Sequence, residues 1–351
     1  YLRGAGVVRR VPQPPARAPR LGDRRPLQLR DDGGAGRRVG VLGAKALALS
    51  LMVDTSILTL DLRDNWLQGE GAAAIAEMLK ENCYVSAVDL SDNKLGVEGA
   101  KAFSAMLLEN TTIVSLQLSG NEFDDRAAKY LADAITANSK VEILDLSYNV
   151  FGDKAGEILG MAIAENVGLK ELKISWNHFC SQGAAALAKG LGANIFLKVL
   201  DVSYNGFGNS GAAALGEALK ANNVLEELNV RWDRLWSCCT SAAVGKARSS
   251  HLDLLPAGGG GCMTRNPMQS EGCCGVLKAL QANPGTGMEN LDLPDIPVNQ
   301  ELAELCDAVR ILLPNLLLRH GGNIKLQRKS QSKVKLQTQP QVVGNSQKAV
   351  A

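Results

Sequence analysis

Asn65, Asn93, Asn121, Asn149, Asn177 and Asn205 stand at a constant interval of 28 residues, and the next slot holds Asp233. Each closes one pattern, L-x-x-L-x-L-x-x-N, seen as Ile57/Leu60/Leu62/Asn65 or Val141/Leu144/Leu146/Asn149 and continued as far as Leu225/Leu228/Val230/Asp233. Behind each lies a small-residue segment such as Glu70-Gly71-Ala72 or Gln182-Gly183-Ala184, then an apolar stripe with helical spacing. The stripe ends at a second ladder: Asn82, Asn110, Asn138, Asn166, Asn194 and Asn222. A register held this long makes the chain a stack of copies of one supersecondary unit.

Alternating leucines at period two predict a short strand buried on one face. The following stretch, for example Ala72–Leu79, has good helix formers with one apolar face. One strand and one helix cannot bury both apolar faces, so the copies must stack, with a parallel sheet on the concave side and helices on the convex side. The residues at the start of each helix (Gly71, Gly99, Ala127, Ala155, Gly183 and Gly211) are small, which lets neighbouring helices approach closely. An asparagine at the turn after each strand can satisfy backbone groups that the curve leaves without partners.

This pattern resembles the leucine-rich repeats of the ribonuclease-inhibitor-like type. Residues 193–201, 203–208, 220–228 and 265–272 strengthen the resemblance to intracellular proteins of that kind, and it covers roughly 41–232 and 263–318. The resemblance implies an α/β leucine-rich repeat solenoid, a horseshoe of 28-residue repeats, in an intracellular, cytoplasmic protein. It carries over no biochemical activity.

The register fails after Asp233: Asn266, before Pro267-Met268, lies 33 residues further on. Between them are Trp236, Cys238-Cys239 and the run Gly258–Gly261, with no strand pattern. The favoured reading is a splice or gene-prediction insert in place of a regular repeat, and a functional insertion is the alternative. Losing a unit there would expose apolar faces on both sides. The chain thus divides into an Arg/Pro/Gly-rich segment over 1–26, a repeat array over 27–232, a break over 233–262, a resumed repeat with its cap over 263–318 and a basic tail over 319–351. Leu27-Gln28-Leu29 is the candidate first strand, and Gly43–Leu47 belongs to the first helix. A helix is expected over Gly272–Ala282, then a strand at Met288/Leu291/Leu293. Pro294 and Pro297 are expected to end the stacking, because proline cannot donate to a ladder, and Glu301–Leu313 to form a capping helix.

Composition adds two points. Of the 351 residues, 46% are hydrophobic and only 4% aromatic, as expected for many small Leu/Ala layers. The net charge of +2 conceals +7 over residues 1–40, +7 over 319–351 and −12 between them. The basic first segment is compatible with nucleic acid or anionic lipid, but a solvated tail or a wrongly assigned start is favoured. Both flanks have compositions that predict disorder. No nucleic-acid partner is expected for the acidic array. The eight cysteines form no C-x-x-C and the three histidines no cluster, so no metal site is expected, and reduced thiols fit best. The sequon at Asn110 is read as a chance match. No secretory signal or membrane span is expected; Val39–Val53, the most apolar stretch, is short and contains Lys45.

No phosphate-binding loop, H-E-x-x-H or G-x-S-x-G occurs, and the glycines of Gly34–Gly40 miss dinucleotide spacing by one. Neither catalysis nor a cofactor is expected. What remains is the concave surface, where the residues between the leucines are expected to face solvent. One row is mostly acidic: Asp61, Asp89, Gln117, Asp145, Lys173, Asp201 and Asn229. The row just before the asparagines runs Asp64, Asp92, Gly120, Tyr148, Trp176, Tyr204 and Trp232. Its aromatics either form a strip that anchors a protein partner or merely stack on one another. The expected function is that of a non-catalytic scaffold binding a protein, of unspecified identity, through its concave sheet. Oligomeric state is left open. Regulation of an enzyme, as a small-GTPase activator or nuclease inhibitor, is the alternative. Against the first stands a basic rather than acidic tail; against the second, repeats that do not alternate in length and few cysteines.

Overall fold

The computed structural model of the chain describes residues 25–29, 38–231, 268–294, 296 and 298–320. Among them, strands and helices alternate without exception. The order is β1 (Arg25–Gln28), α1 (Gly40–Leu51), β2 (Ile57–Asp61), α2 (Gln68–Glu81), β3 (Ala87–Asp89), α3 (Gly96–Glu109), β4 (Ser115–Gln117), α4 (Asp125–Ala137), β5 (Ile143–Asp145) and α5 (Asp153–Glu165). It continues with β6 (Glu171–Lys173), α6 (Ser181–Ala193), β7 (Val199–Asp201), α7 (Gly208–Leu219), β8 (Glu227–Asn229), α8 (Ser270–Ala282), β9 (Asn290–Asp292), α9 (Gln300–Leu312) and β10 (Leu317–Arg319). The strands form one open ten-stranded sheet in sequence order, paired in parallel throughout. This is an α/β leucine-rich repeat solenoid. Strands lie about 4.8 Å apart whereas packed helices need about 8–10 Å, so the stack bends with the sheet on its inner side.

One apolar residue of each strand from β2 to β10 (Leu60, Val88, Leu116, Leu144, Leu172, Leu200, Leu228, Leu291 and Leu318) is buried against the helices. Each contributes about 1.5–3 kcal/mol of apolar burial. A row of Phe123, Phe151, Phe179 and Phe207, continued by Met268, fills the space beneath the strand-to-helix loops. Its ring centroids are 6.3 Å apart between Phe123 and Phe151 and 6.2 Å between Phe151 and Phe179. Helix contacts are close where small residues permit: a Cβ on Gly183 would lie 2.8 Å from the Asp153 Cα.

Asparagine stitches each unit to the one before. Asn149 Nδ2 donates to the carbonyls of Leu118 (3.2 Å), Leu146 (2.9 Å) and Ser147 (3.0 Å), while Oδ1 accepts the N–H groups of Asn121 and Phe123, both at 3.0 Å. Asn65, Asn93, Asn121, Asn177 and Asn205 are buried in the same place and donate across the same joint. The second ladder ends the helices: Asn138 Nδ2 donates to the Leu107 carbonyl at 2.8 Å, and Oδ1 accepts the N–H groups of Lys140 and Val141. Asn110 of the sequon does the same from a buried position, donating to Leu79 at 2.7 Å.

Some expectations need correction. Pro294 does not end the stack, since β10 pairs in parallel with β9. The proline lies beyond Asp292, the last residue of β9, where no ladder donor is needed, and Pro297 is outside the described residues. The helix expected as a cap is therefore α9 of a further unit, capped by Asn299 Oδ1 on the Leu302 N–H at 2.8 Å. The first strand runs from Arg25 to Gln28, and Leu29 donates beyond it to the Asp61 carbonyl. Cys180 is disulfide-bonded, not reduced, whereas Cys83, Cys273, Cys274 and Cys306 are free. Among the described residues the stack continues across the interruption: β8 pairs directly with β9, and α8 packs on α7. Asp233, Asn266 and the segment 233–262 lie outside the described residues.

Candidate functional site

The strand register sets the concave surface. Asp61, Asp89, Gln117, Asp145, Lys173, Asp201, Asn229, Asp292 and Arg319 stand side by side, one per strand from β2 to β10. Each aspartate of the sequence-predicted row bends its own chain. Oδ1 accepts the backbone N–H two residues on: Arg63 for Asp61 (3.2 Å), Ser91 for Asp89 (2.9 Å), Ser147 for Asp145 (2.8 Å) and Ser203 for Asp201 (2.9 Å). Asn229 makes the same bond to Arg231 at 3.0 Å. Short side chains with an acceptor oxygen favour this turn, which the spacing of carboxylates alone did not reveal.

The row does not face solvent evenly. Asp61 and Asp89 are only 5% and 9% exposed, against the expectation, because the Arg63 guanidinium lies across both and ion-pairs with Asp89. Asp145 and Asp201 are half-buried and have no ion pair among the described residues. Further along, the row contains its own cations. Lys173 pairs with Glu171 at 2.7 Å and Arg319 with Asp292 at 3.7 Å. Burial alone would lower the Lys173 pKa, but Glu171, Asp145 and Asp201 raise it and keep the ammonium charged. Between β6 and β10 the sheet forms a hollow of about 530 Å³ whose charged lining is Glu171, Lys173, Asp201, Glu227, Asp292 and Arg319.

Above the carboxylates, on the turn before each asparagine, lies the aromatic row. Tyr148 and Trp176 stack with centroids 5.3 Å apart and planes at 11°; Trp176 and Tyr204 stack at 4.1 Å and 12°. Tyr148 stays 41% exposed, and Trp232 is outside the described residues. Burial first, then the fields of Tyr204, Asp201 and Asp145, push the Tyr148 phenol above its ordinary range, so both rows share one negative field. The backbone here is left-handed at every described repeat: φ is 54° at Asp64, 59° at Asp92, 67° at Gly120, 54° at Tyr148, 53° at Trp176 and 55° at Tyr204.

Trp66, two residues after Asp64, carries no signal in the repeat pattern that would single it out. It is exposed on the same lip, with the Arg38 guanidinium carbon 4.3 Å and the Lys94 ammonium 4.8 Å from its ring centre. Among the described residues, no group of three or more His, Cys, Asp or Glu side chains is placed to hold a metal ion, and no helix is long and apolar enough to cross a membrane. The arrangement offers charge, stacked rings and a broad inner face.

A family described as Leucine Rich repeat matches the chain over residues 53–76, 81–104, 109–132, 137–159 and 193–216. Human leucine-rich repeat-containing protein 74B is 48% identical over 51 residues, which is 14% of this chain and 13% of that protein. The match therefore spans about an eighth of that relative's length. Among solved structures, leiomodin-1 actin-binding site 2 aligns at 22% identity over 42% of this chain and 86% of its own, with a TM-score of 0.38. The tropomodulin C-terminal domain of Caenorhabditis elegans aligns at 14% identity over 44% and 92%, with a TM-score of 0.37.

Proposed function

We propose that this chain, which belongs to the leucine-rich repeat proteins, is a non-catalytic scaffold that binds a partner protein through its concave sheet. Leucine-rich repeat domains in general serve as protein-interaction modules, and the scaffold role is the finer reading. The observation that carries it is the stack of Tyr148, Trp176 and Tyr204 at the lip of the sheet, with Tyr148 still partly exposed. Rigid aromatic rings with a polar edge are favoured anchors at protein interfaces. Asp61, Asp89, Asp145 and Asp201 sit on the same surface, although Asp61 and Asp89 contribute mainly through the turns they hold. The partner's ground is the repeat array, not the basic segments outside it, and nucleic acid is not its expected ligand.

The test is affinity capture by the full chain and by a Trp176→Ala/Tyr204→Ala variant, followed by mass spectrometry and thermal melts. Loss of a reproducibly captured protein with a nearly unchanged melt supports the reading. Equal loss of stability and capture would assign the aromatics to stacking alone, and no captured protein at native salt would overturn the scaffold role.

A further inference from the structure

We infer that Cys180 and the vicinal pair Cys238-Cys239 form a redox clasp: a disulfide ties the turn that carries Trp176 to the interruption of the array, and a reducing thiol opens it. The clasp is independent of the concave-sheet reading above.

Elimination limits the partners. The chain has eight cysteines, and Cys180 is disulfide-bonded. Cys83, Cys273, Cys274 and Cys306 are free, which leaves Cys238, Cys239 and Cys262, all outside the described residues. Chain length then chooses among the three. Arg231 follows β8, two strands beyond β6, so the way back is about 10 Å along the sheet. Cys238 and Cys239 lie seven and eight residues past Arg231, a reach of about 23–26 Å. Cys262 lies six residues before Met268, at the approach to α8, and can reach about 20 Å. From there it would have to cross α7 to the start of α6, two helix spacings or about 16–20 Å. The pair has slack where Cys262 has almost none.

Sulfur at this position does nothing for the lattice. Its counterparts in other repeats are Gln68, Gly96, Asp124, Gly152 and Gly208. Asp124 caps its own helix, accepting the N–H groups of Arg126 and Ala127. The Cys180 side chain makes no such bond. Asp153 of the preceding unit caps α6 instead, its Oδ1 accepting the N–H groups of Cys180 at 2.7 Å and Gly183 at 3.0 Å. Asp125 serves Gly152 and Ala155 in the same way, at 2.7 and 3.2 Å, where residue 152 has no side chain at all. Glycine therefore satisfies the repeat, and the thiol is left for chemistry outside it.

Closure is a two-electron oxidation, with oxidised glutathione as the co-reactant. One thiolate attacks the glutathione disulfide and expels one glutathione; the second attacks the mixed disulfide and expels the other. The two protons end on the two glutathione thiols, and excess glutathione reverses both steps. Whichever member of the pair holds Cys180, its neighbour is one residue from the bond and can take it over by exchange, so only replacing both abolishes the link.

The experiment treats the full chain with oxidised glutathione, alkylates the remaining thiols and digests with trypsin without reductant. Residues 174–189, which contain Cys180, are expected joined to residues 235–246, which contain Cys238 and Cys239. Millimolar reduced glutathione, added under native conditions before alkylation, is expected to abolish the joined peptide. Cys180→Ser and Cys238→Ser/Cys239→Ser should each lack it while melting like the parent in reducing buffer, as Gly152 leads one to expect for the first. Cys180 found alkylated in the oxidised parent overturns the inference, as does a joined peptide that survives native glutathione. Joining to residues 249–265 overturns it in favour of Cys262. A reductant-sensitive dimer that Cys180→Ser abolishes overturns it in favour of a link between two copies.

Discussion

The Asn209 side-chain oxygen accepts the backbone N–H of Gln269 at 2.9 Å, although the two residues are 60 apart in the chain. The same joint is made by Asp125 with Gly152 and by Asp153 with Cys180, each at 2.7 Å and across only 27 residues. Asn283 likewise donates to the Leu219 carbonyl at 2.9 Å and to Asn222, a contact spanning 61 residues that Asn222 makes with Asn194 across 28. The units on either side of residues 232–267 are thus neighbours in one lattice.

Removal of residues 233–265 would set Trp232 before Asn266 and return Asn222 and Asn283 to a 28-residue interval. In reducing buffer, which opens the Cys180 disulfide of the parent, the shortened chain is expected to unfold cooperatively, with a midpoint no lower than the parent's. A broad or missing thermal transition would show instead that the excised residues supply part of the core.

Asn149→Leu leaves five backbone groups, drawn from two successive units, without their partner. Buried donors and acceptors left this way cost about 1–3 kcal/mol, with water relieving part of the sum. Urea denaturation should therefore show a loss of about 1–3 kcal/mol, and an unchanged midpoint would deny the ladder a structural role.

Among the described residues, neither ring nitrogen of His178 has a hydrogen-bond partner, and burial holds its pKa below the ordinary 6.5, with Asp125 opposing only in part. The unfolded chain takes up a proton near pH 6.5, where the folded one still resists it. This contribution to stability is complete above that pH and is lost as pH falls below it toward the depressed folded value. Between about pH 7 and pH 5, the parent should lose more stability than His178→Gln does. Parallel pH profiles of the two proteins would show that His178 is not the group responsible.

Much of the architecture is legible in the sequence because each part recurs. Leucine alternation locates the strands, and the two asparagine ladders mark the joints. The row of Phe123, Phe151, Phe179 and Phe207 is equally periodic yet easily passed over, since a core phenylalanine has no polar signature to single it out. The acidic row is legible as charge, but not as four turns; only Asn229 in the same register hints that an acceptor oxygen, rather than a negative charge, is what the backbone asks for. The continuity from Asn229 to Asp292 cannot be counted from the chain, because a register shift does not say which residues on each side complete one unit. Likewise, the spacing of Tyr148, Trp176 and Tyr204 places them in one row without giving the tilt of their rings.

Gly120 shows what the turn before each asparagine would cost least to hold, for glycine adopts a positive φ freely while other L-residues lose about 1–2 kcal/mol there. Aspartate at residues 64 and 92 is a mild compromise, but Tyr148, Trp176 and Tyr204 are among the least suited side chains. The three successive units that carry them accept a local conformational penalty which ring-on-ring contact must offset. Replacing any one ring by glycine would therefore ease its own backbone while stripping a neighbour of cover, so the two effects oppose each other and the three positions are energetically coupled.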